Sequence, residues 1–221
     1  MLVIFDVNET LLDLAALDEL IAEVLGSGTG DSLARRKWFD RMIRSALTLT
    51  AADRYVAFGV LAGAALRDLA AEQGREVSDE QVRRLGAGIR QLPAHPDVAP
   101  GLRRLRADGH RVVTLTNSVL EVAEEQLATS GLRASVDGVY SADEVHRLKP
   151  AAEPYRLVLE REQSGTGLLV AAHDWDVAGA AAAGLDTAFV AREGRRPFGA
   201  APAPTYVLNS IDELADRLAA P

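Results

Sequence analysis

A short apolar strand standing alone ahead of a long helical block is what most limits the folds open to this chain. Leu2–Phe5 is an unbroken apolar run, as expected of a strand buried on both faces. Residues 14–92 then read as helix after helix, with no convincing strand. Leu14–Leu25 carries apolar residues at helical spacing and stops at the breaker GSGTGDS, residues 26–32. Leu33–Leu47 and Ala52–Gln73 continue the pattern. Ser78 opens a further helix as its cap, with Asp79 and Glu80 adding negative charge to the first turn. Pro93 and Pro96 mark Leu92–Pro96 as a linker.

After residue 97 the texture changes to strand–helix alternation. Strands are predicted at Arg111–Thr116, Val136–Ser141, Gly167–Ala172, Thr187–Ala191 and Tyr206–Leu208. Helices are predicted at Ser118–Ser130, Glu153–Glu162, Asp176–Ala183 and Ile211–Leu218. Strands separated by helices imply a parallel sheet covered on both faces. A lone strand is not stable, so Leu2–Phe5 must join that sheet, and the helical block is an insertion. The expected fold is α/β: a Rossmann-like core from residues 1–13 and 97–221, with an inserted all-helical cap at 14–96. The cap is expected to close over the cleft, hinging at 12–15 and 92–97.

Composition narrows the function. The 221 residues are 48 % hydrophobic, enough to bury a real core. A net charge of −8 argues against a nucleic-acid partner, because phosphate binding wants a basic face. The absence of cysteine removes disulfides, thiolate chemistry and zinc–sulfur sites. No apolar stretch is long enough to span a membrane, and no signal peptide precedes the first strand, so a cytoplasmic location is expected.

The strand ends carry the polar residues. Asp6 and Asn8 follow the first strand, with Thr10 beyond them. Thr116, Asn117 and Ser118 end VVTL. Lys149 and Pro150 follow the third strand after a loop, and His173, Asp174 and Asp176 follow LLVAA. Parallel strands point their carboxyl ends one way, so these groups should converge at one sheet edge, where open α/β sheets bind ligands. There Asp6 is placed as a covalent nucleophile. A positive charge from Lys149 would keep it ionised, and the hydroxyls of Thr10, Thr116 and Ser118 would orient it or bind an oxyanion. Asn117 offers an amide N–H to the cleft. Ser118 is equally placed to cap the helix that follows. His173 is read as the base that activates water, as a neutral imidazole at pH 7, with Asp18 or Glu19 as its acidic partner.

The ordered set Asp-x-Asn-x-Thr-Leu, Thr-Asn, Lys-Pro and His-Asp-Trp-Asp resembles the haloacid dehalogenase superfamily over nearly the full length. Within it, the magnesium phosphatases carry a second aspartate two residues after the nucleophile; here Asn8 stands there. Their metal-binding aspartate falls on Ala172, which has no ligand atom. The resemblance is therefore to the metal-free 2-haloacid dehalogenase branch, with no cofactor. It implies attack by Asp6 on the halogen-bearing carbon of a small 2-haloacid, then hydrolysis of the ester. By resemblance, Thr10, Thr116, Lys149 and Tyr155 support the nucleophile, Asn117 and Trp175 cradle the halide, and Asp176 positions polar groups. A preference for the S enantiomer comes from the resemblance alone. The alternatives are a magnesium-dependent phosphatase, or a hydrolase acting on another electrophile through the same ester. A binding scaffold without turnover is the non-enzymatic alternative.

One departure concerns the arginine by which better-known dehalogenases bind halide and carboxylate. Phe39 occupies its place and would line an apolar pocket. The carboxylate would then fall to Arg36, to Arg41, or to the backbone N–H groups of Asn117 and Ser118. Family members are often dimers, and Trp38, Met42 and Phe58 are candidates for either an interface or the cap core.

Overall fold

A computed structural model of the chain describes residues 1–28 and 32–219. Six strands form one sheet: β1 (Leu2–Phe5), β2 (Arg111–Thr116), β3 (Gly138–Ser141), β4 (Leu168–Ala171), β5 (Asp186–Val190) and β6 (Tyr206–Leu208). Their order is β3-β2-β1-β4-β5-β6, and every pairing is parallel. The isolated first strand thus lies at the centre, between β2 and β4. The strand order reverses there, which makes the end of β1 the switch point where such sheets place ligands.

Period-two alternation gives the sheet two buried faces. Val3 and Phe5 face one cluster with Leu102, Leu105, Leu127 and Leu214, while Leu2 and Ile4 face the other with Tyr155, Val158, Val177 and Ala180. Helices therefore cover both sides, the first cluster drawing on α5 (Val98–Ala107), α6 (Leu120–Thr129) and α9 (Asp212–Ala219), and the second on α7 (Ala152–Arg161) and α8 (Asp174–Ala182). The fold is α/β with a six-stranded parallel sheet. Among the described residues, no helix is long and apolar enough to cross a membrane.

Between β1 and α5 the chain forms α1 (Asp18–Leu25), α2 (Ser32–Ala51), α3 (Phe58–Ala71) and α4 (Asp79–Arg90). Gly26 closes α1 at φ 68°, a left-handed turn that favours glycine; residues 29–31 of the expected breaker lie outside the described residues. Ser78 and Gln81 form a reciprocal capping box at α4. The two crossings between the helical block and the sheet lie side by side: Leu12 bridges Ala94, Asp13 N donates to Pro93 O at 2.8 Å, and His95 N donates to Leu11 O at 3.0 Å.

Three expectations need correction. The helix placed at Ala52–Gln73 begins only at Phe58, because α2 runs on to Ala51 and Asp53 turns the chain at φ 57°. The intervening Tyr55 donates its hydroxyl to Asp143 instead of joining a helix. Helix α5 has no counterpart in the sequence reading: Pro100 and Gly101 mask the spacing of Val98, Leu102 and Leu105. Ser118 is not the cap of α6. Val119 holds that position, and the Ser118 hydroxyl accepts from Asn8 Nδ2 at 3.3 Å.

Candidate active site

The switch point brings Asp6, Thr10, Lys149, His173, Asp176 and Tyr155 into one buried network. Thr10 Oγ1 donates to Asp6 Oδ2 at 2.7 Å and accepts from Ala172 N at 2.9 Å, tying the loop after β1 to the end of β4. Lys149 Nζ donates to Asp6 Oδ1 at 2.8 Å, Asp176 Oδ2 at 2.6 Å and Leu115 O at 3.0 Å, using all three of its protons. Asp176 accepts from the Tyr155 hydroxyl at 2.6 Å. Tyr155 thus stands behind Asp176 and does not line the space before Asp6. Gly179 on α8 makes this packing possible, since a Cβ there would lie 2.4 Å from Pro150 and 2.8 Å from the Tyr155 hydroxyl.

These contacts set the charges. Burial alone would raise the Asp6 carboxyl, but the Lys149 charge, with the His173 hydrogen bond and charge, holds it well below the usual carboxylate range. Asp176 shares the same ammonium and is displaced the other way, raised by burial and by the Asp6 charge. Lys149 stays charged despite its burial, because two carboxylates flank it.

His173 departs from the neutral base expected of it. Its Nδ1 lies 3.2 Å from Asp6 Oδ2 and its Nε2 3.0 Å from Glu9 Oε2. Burial favours the neutral ring, but the two carboxylates outweigh it and push the pKa up to about 9. The ring is therefore protonated at neutral pH while Asp6 is free. Its acidic partner is Glu9, not Asp18 or Glu19. Asp18 is taken by Arg35 at 2.7 Å, and Glu19 is exposed. Glu9 itself sits at φ 62° and is held by Arg35 at 3.0 Å and Arg195 at 2.6 Å. Burial would raise Glu9, but His173 and Arg195 bring it below its ordinary value.

Phe39 lies against this group, stacked on His173 with centroids 5.3 Å apart, and Trp175 stacks on the same imidazole at 5.1 Å. Two aromatic rings stack on a cationic one, an arrangement that favours the charge. Neither alternative arginine reaches the cleft: Arg36 pairs with Glu193, and Arg41 pairs with Glu72 and Asp68. The Ser118 N–H is also committed, donating to Thr116 Oγ1 at 3.1 Å.

Asp6, Phe39, Ile43, Phe58, Thr116, Asn117, His173 and Trp175, with Asn8, enclose a cavity of about 10 Å³. Asn117 Oδ1 accepts from Lys149 N at 2.8 Å, and its buried Nδ2 has no partner among the described residues. Asn8 is a wall residue whose polar atoms are committed: Oδ1 accepts from Gln126 Nε2 at 3.0 Å and Nδ2 serves Ser118. Trp38, Met42 and Phe58 are buried within the protein. Sequence reasoning missed Glu9, Arg35 and Arg195. A charged residue three positions beyond Asp6, inside a run otherwise bound for burial, was the available signal for Glu9.

The model of the haloacid dehalogenase-like hydrolases matches residues 1–184. An (S)-2-haloacid dehalogenase of Pseudomonas fluorescens is 27 % identical over 217 residues, covering 97 % of this chain and 95 % of that protein. (S)-2-haloacid dehalogenase 4A of Burkholderia cepacia is 29 % identical, covering 98 % and 94 %. The L-2-haloacid dehalogenase of Xanthobacter autotrophicus, solved with chloropropionic acid covalently bound, superposes with a TM-score of 0.90 at 23 % identity, over 99 % of this chain and 98 % of that one. That likeness attests the fold.

Proposed function

The chain belongs to the haloacid dehalogenase-like hydrolases, and from that premise we propose that it converts 2-haloalkanoic acids to 2-hydroxy acids through an ester on Asp6. The observation that carries this reading is the state of Asp6. It is buried, kept ionised by Lys149, and faces a space walled by Phe39, Phe58 and Trp175. A desolvated carboxylate beside an apolar wall suits in-line attack on carbon. The naming of full-length relatives as (S)-2-haloacid dehalogenases supports it.

In the first step an Asp6 oxygen forms a bond to the α-carbon as the carbon–halogen bond breaks, and the halide leaves with the bonding electrons. No proton is needed, which suits Asn8 in place of an acid. Asn117 Nδ2, the unpartnered donor in the cavity wall, is the group to receive the halide. Forming the ester removes the Asp6 charge and one of the two anions holding the His173 proton. His173 then releases that proton to solvent, and the neutral ring, oriented by Glu9, accepts one from water. The hydroxide adds to the Asp6 carbonyl carbon, the alkoxide leaves and is reprotonated, and the Asp6 carboxylate is restored. Lys149 stabilises the developing oxyanion.

The helical block at 14–96 acts as the cap, with the paired crossings at 12–15 and 92–97 as its hinge. A cytoplasmic location and a homodimer complete the reading. The test is halide release from 2-bromopropionate and 2-chloropropionate with a chelator present. Release that survives chelation and disappears in Asp6→Asn supports it. Activity only on phosphate esters, lost with metal removal, would replace it with the phosphatase reading.

A further inference from the structure

The space in front of Asp6, at about 10 Å³, holds no more than a single water. A 2-haloacid does not fit there until a wall moves. Behind three of those walls, Asn8, Phe39 and Phe58, lies a second and much larger cavity of about 310 Å³. It runs between α2, α3, α4 and the start of α6, lined mainly by apolar side chains such as Met42, Leu85 and Val122. Its size falls in the range of small-molecule sites.

Of three glycines along it, Gly63 packs close to Val82, whereas Gly86 and Gly59, the latter exposed at the mouth, leave room. Gly59, Gly63 and Gly86 line the cavity, and a Cβ at Gly59 or Gly86 would meet nothing within 4 Å. Glycine inside a helix costs roughly 1 kcal/mol relative to alanine, yet no close neighbour requires it at Gly86, in the body of α4.

We propose that this cavity receives the alkyl chain of the substrate, so that the enzyme prefers 2-haloalkanoic acids with chains longer than propionate. The assignment rests on the dehalogenase reading and names its substrate class. The occupant follows from continuity. The α-carbon must sit at Asp6 and the halide at Asn117. His173 and Trp175 close another side, and the wall shared with the apolar cavity is that of Phe39 and Phe58. A turn of the Phe58 ring joins the two spaces. The cavity walls suit a saturated chain and offer no anchor for a second charge, apart from Arg90 at the rim, which Glu121 and Glu125 already engage.

The experiment compares kcat/KM for halide release from racemic 2-bromopropionate, 2-bromobutanoate, 2-bromohexanoate and 2-bromooctanoate. The wild-type protein and Gly86→Leu and Gly59→Leu variants are used, with thermal unfolding confirming that each is folded. Burial of each methylene is worth about a factor of three to four, so the wild-type values should climb from propionate to hexanoate. Either substitution should lower the hexanoate value at least about tenfold and leave propionate within about twofold. Release from propionate with a flat or falling chain-length profile overturns the cavity assignment alone, as does an equal loss on all four substrates in folded variants. Failure to release halide from every substrate overturns the dehalogenase reading and this assignment with it.

Discussion

Phe39 stacks on His173 with ring centroids 5.3 Å apart and planes 19° apart. At the position where the resemblance implies an arginine, the chain carries a ring that covers a cation. In this chain the cation next to Phe39 is His173, at the end of β4. Phe39→Leu keeps the position apolar but removes that face. A desolvated cation–ring contact is worth ~1–2 kcal/mol, and each pKa unit corresponds to roughly 1.4 kcal/mol. The His173 pKa should therefore fall by about one unit, read by NMR titration of the imidazole protons. An unchanged titration would show that the stacking is only packing.

Glu9 and His173 are predicted to act on the second half of the reaction. His173→Gln should still release one halide per site and then stall, with Asp6 recovered as an alkylated peptide by mass spectrometry. Turnover should drop by ~10²–10⁴, as for loss of a general base. Glu9→Gln removes the remaining anion beside the ring in the ester state, which lowers the His173 pKa. The ascending limb of kcat against pH should move to lower pH. Unchanged limbs in Glu9→Gln would remove Glu9 from the reaction.

The same pair sets a stability profile. His173 is raised from 6.5 to about 9, which corresponds to about 3 kcal/mol of folding stability. Because the folded-state pKa is the higher one, this contribution is complete below about pH 6.5 and disappears as pH rises through about 9. Asp6 and Glu9 are lowered, so their contributions fade at the acid end instead. Urea unfolding should show stability falling between pH 6.5 and 9 in the wild type and a flatter profile in Glu9→Gln.

Lys149 holds two buried carboxylates with one ammonium. Lys149→Met leaves Asp176 without its counter-charge and Asp6 with His173 alone, and breaking such a buried pair typically costs about 3–5 kcal/mol. Turnover should be lost, and the variant should gain stability on acidification as the Asp176 carboxyl, already raised by burial, takes up a proton. Denaturant midpoints at pH 5 and pH 7.5 check this, with a higher midpoint at pH 5 expected for the variant.

Much of the architecture was legible because the physics is local. A doubly buried strand writes an apolar run, and parallel strands bring their ends together, so Asp6, Thr10, Lys149, His173 and Asp176 could be named from strand ends. Helix α5 was hidden by Pro100 and Gly101, which break the local preference while the sheet still orders the segment. The partner of His173 was hidden for another reason. Asp18, Glu19 and Glu9 all lie near in sequence, and the choice among them depends on Arg35, a buried residue of α2 that engages Glu9, Asp18 and Glu193 at once. Only the packed fold decides which carboxylate it leaves facing the imidazole. The charge state of His173 follows from that choice and was equally out of reach.

The claim that Asp6 forms an ester is tested most directly by one turnover in water labelled with heavy oxygen, with enzyme in excess over 2-bromopropionate. The account predicts that the label enters the Asp6 carboxylate and that the first lactate formed carries none, since its hydroxyl oxygen comes from Asp6. Label in the lactate and none in Asp6 would mean that water attacks the carbon directly, and would contradict it.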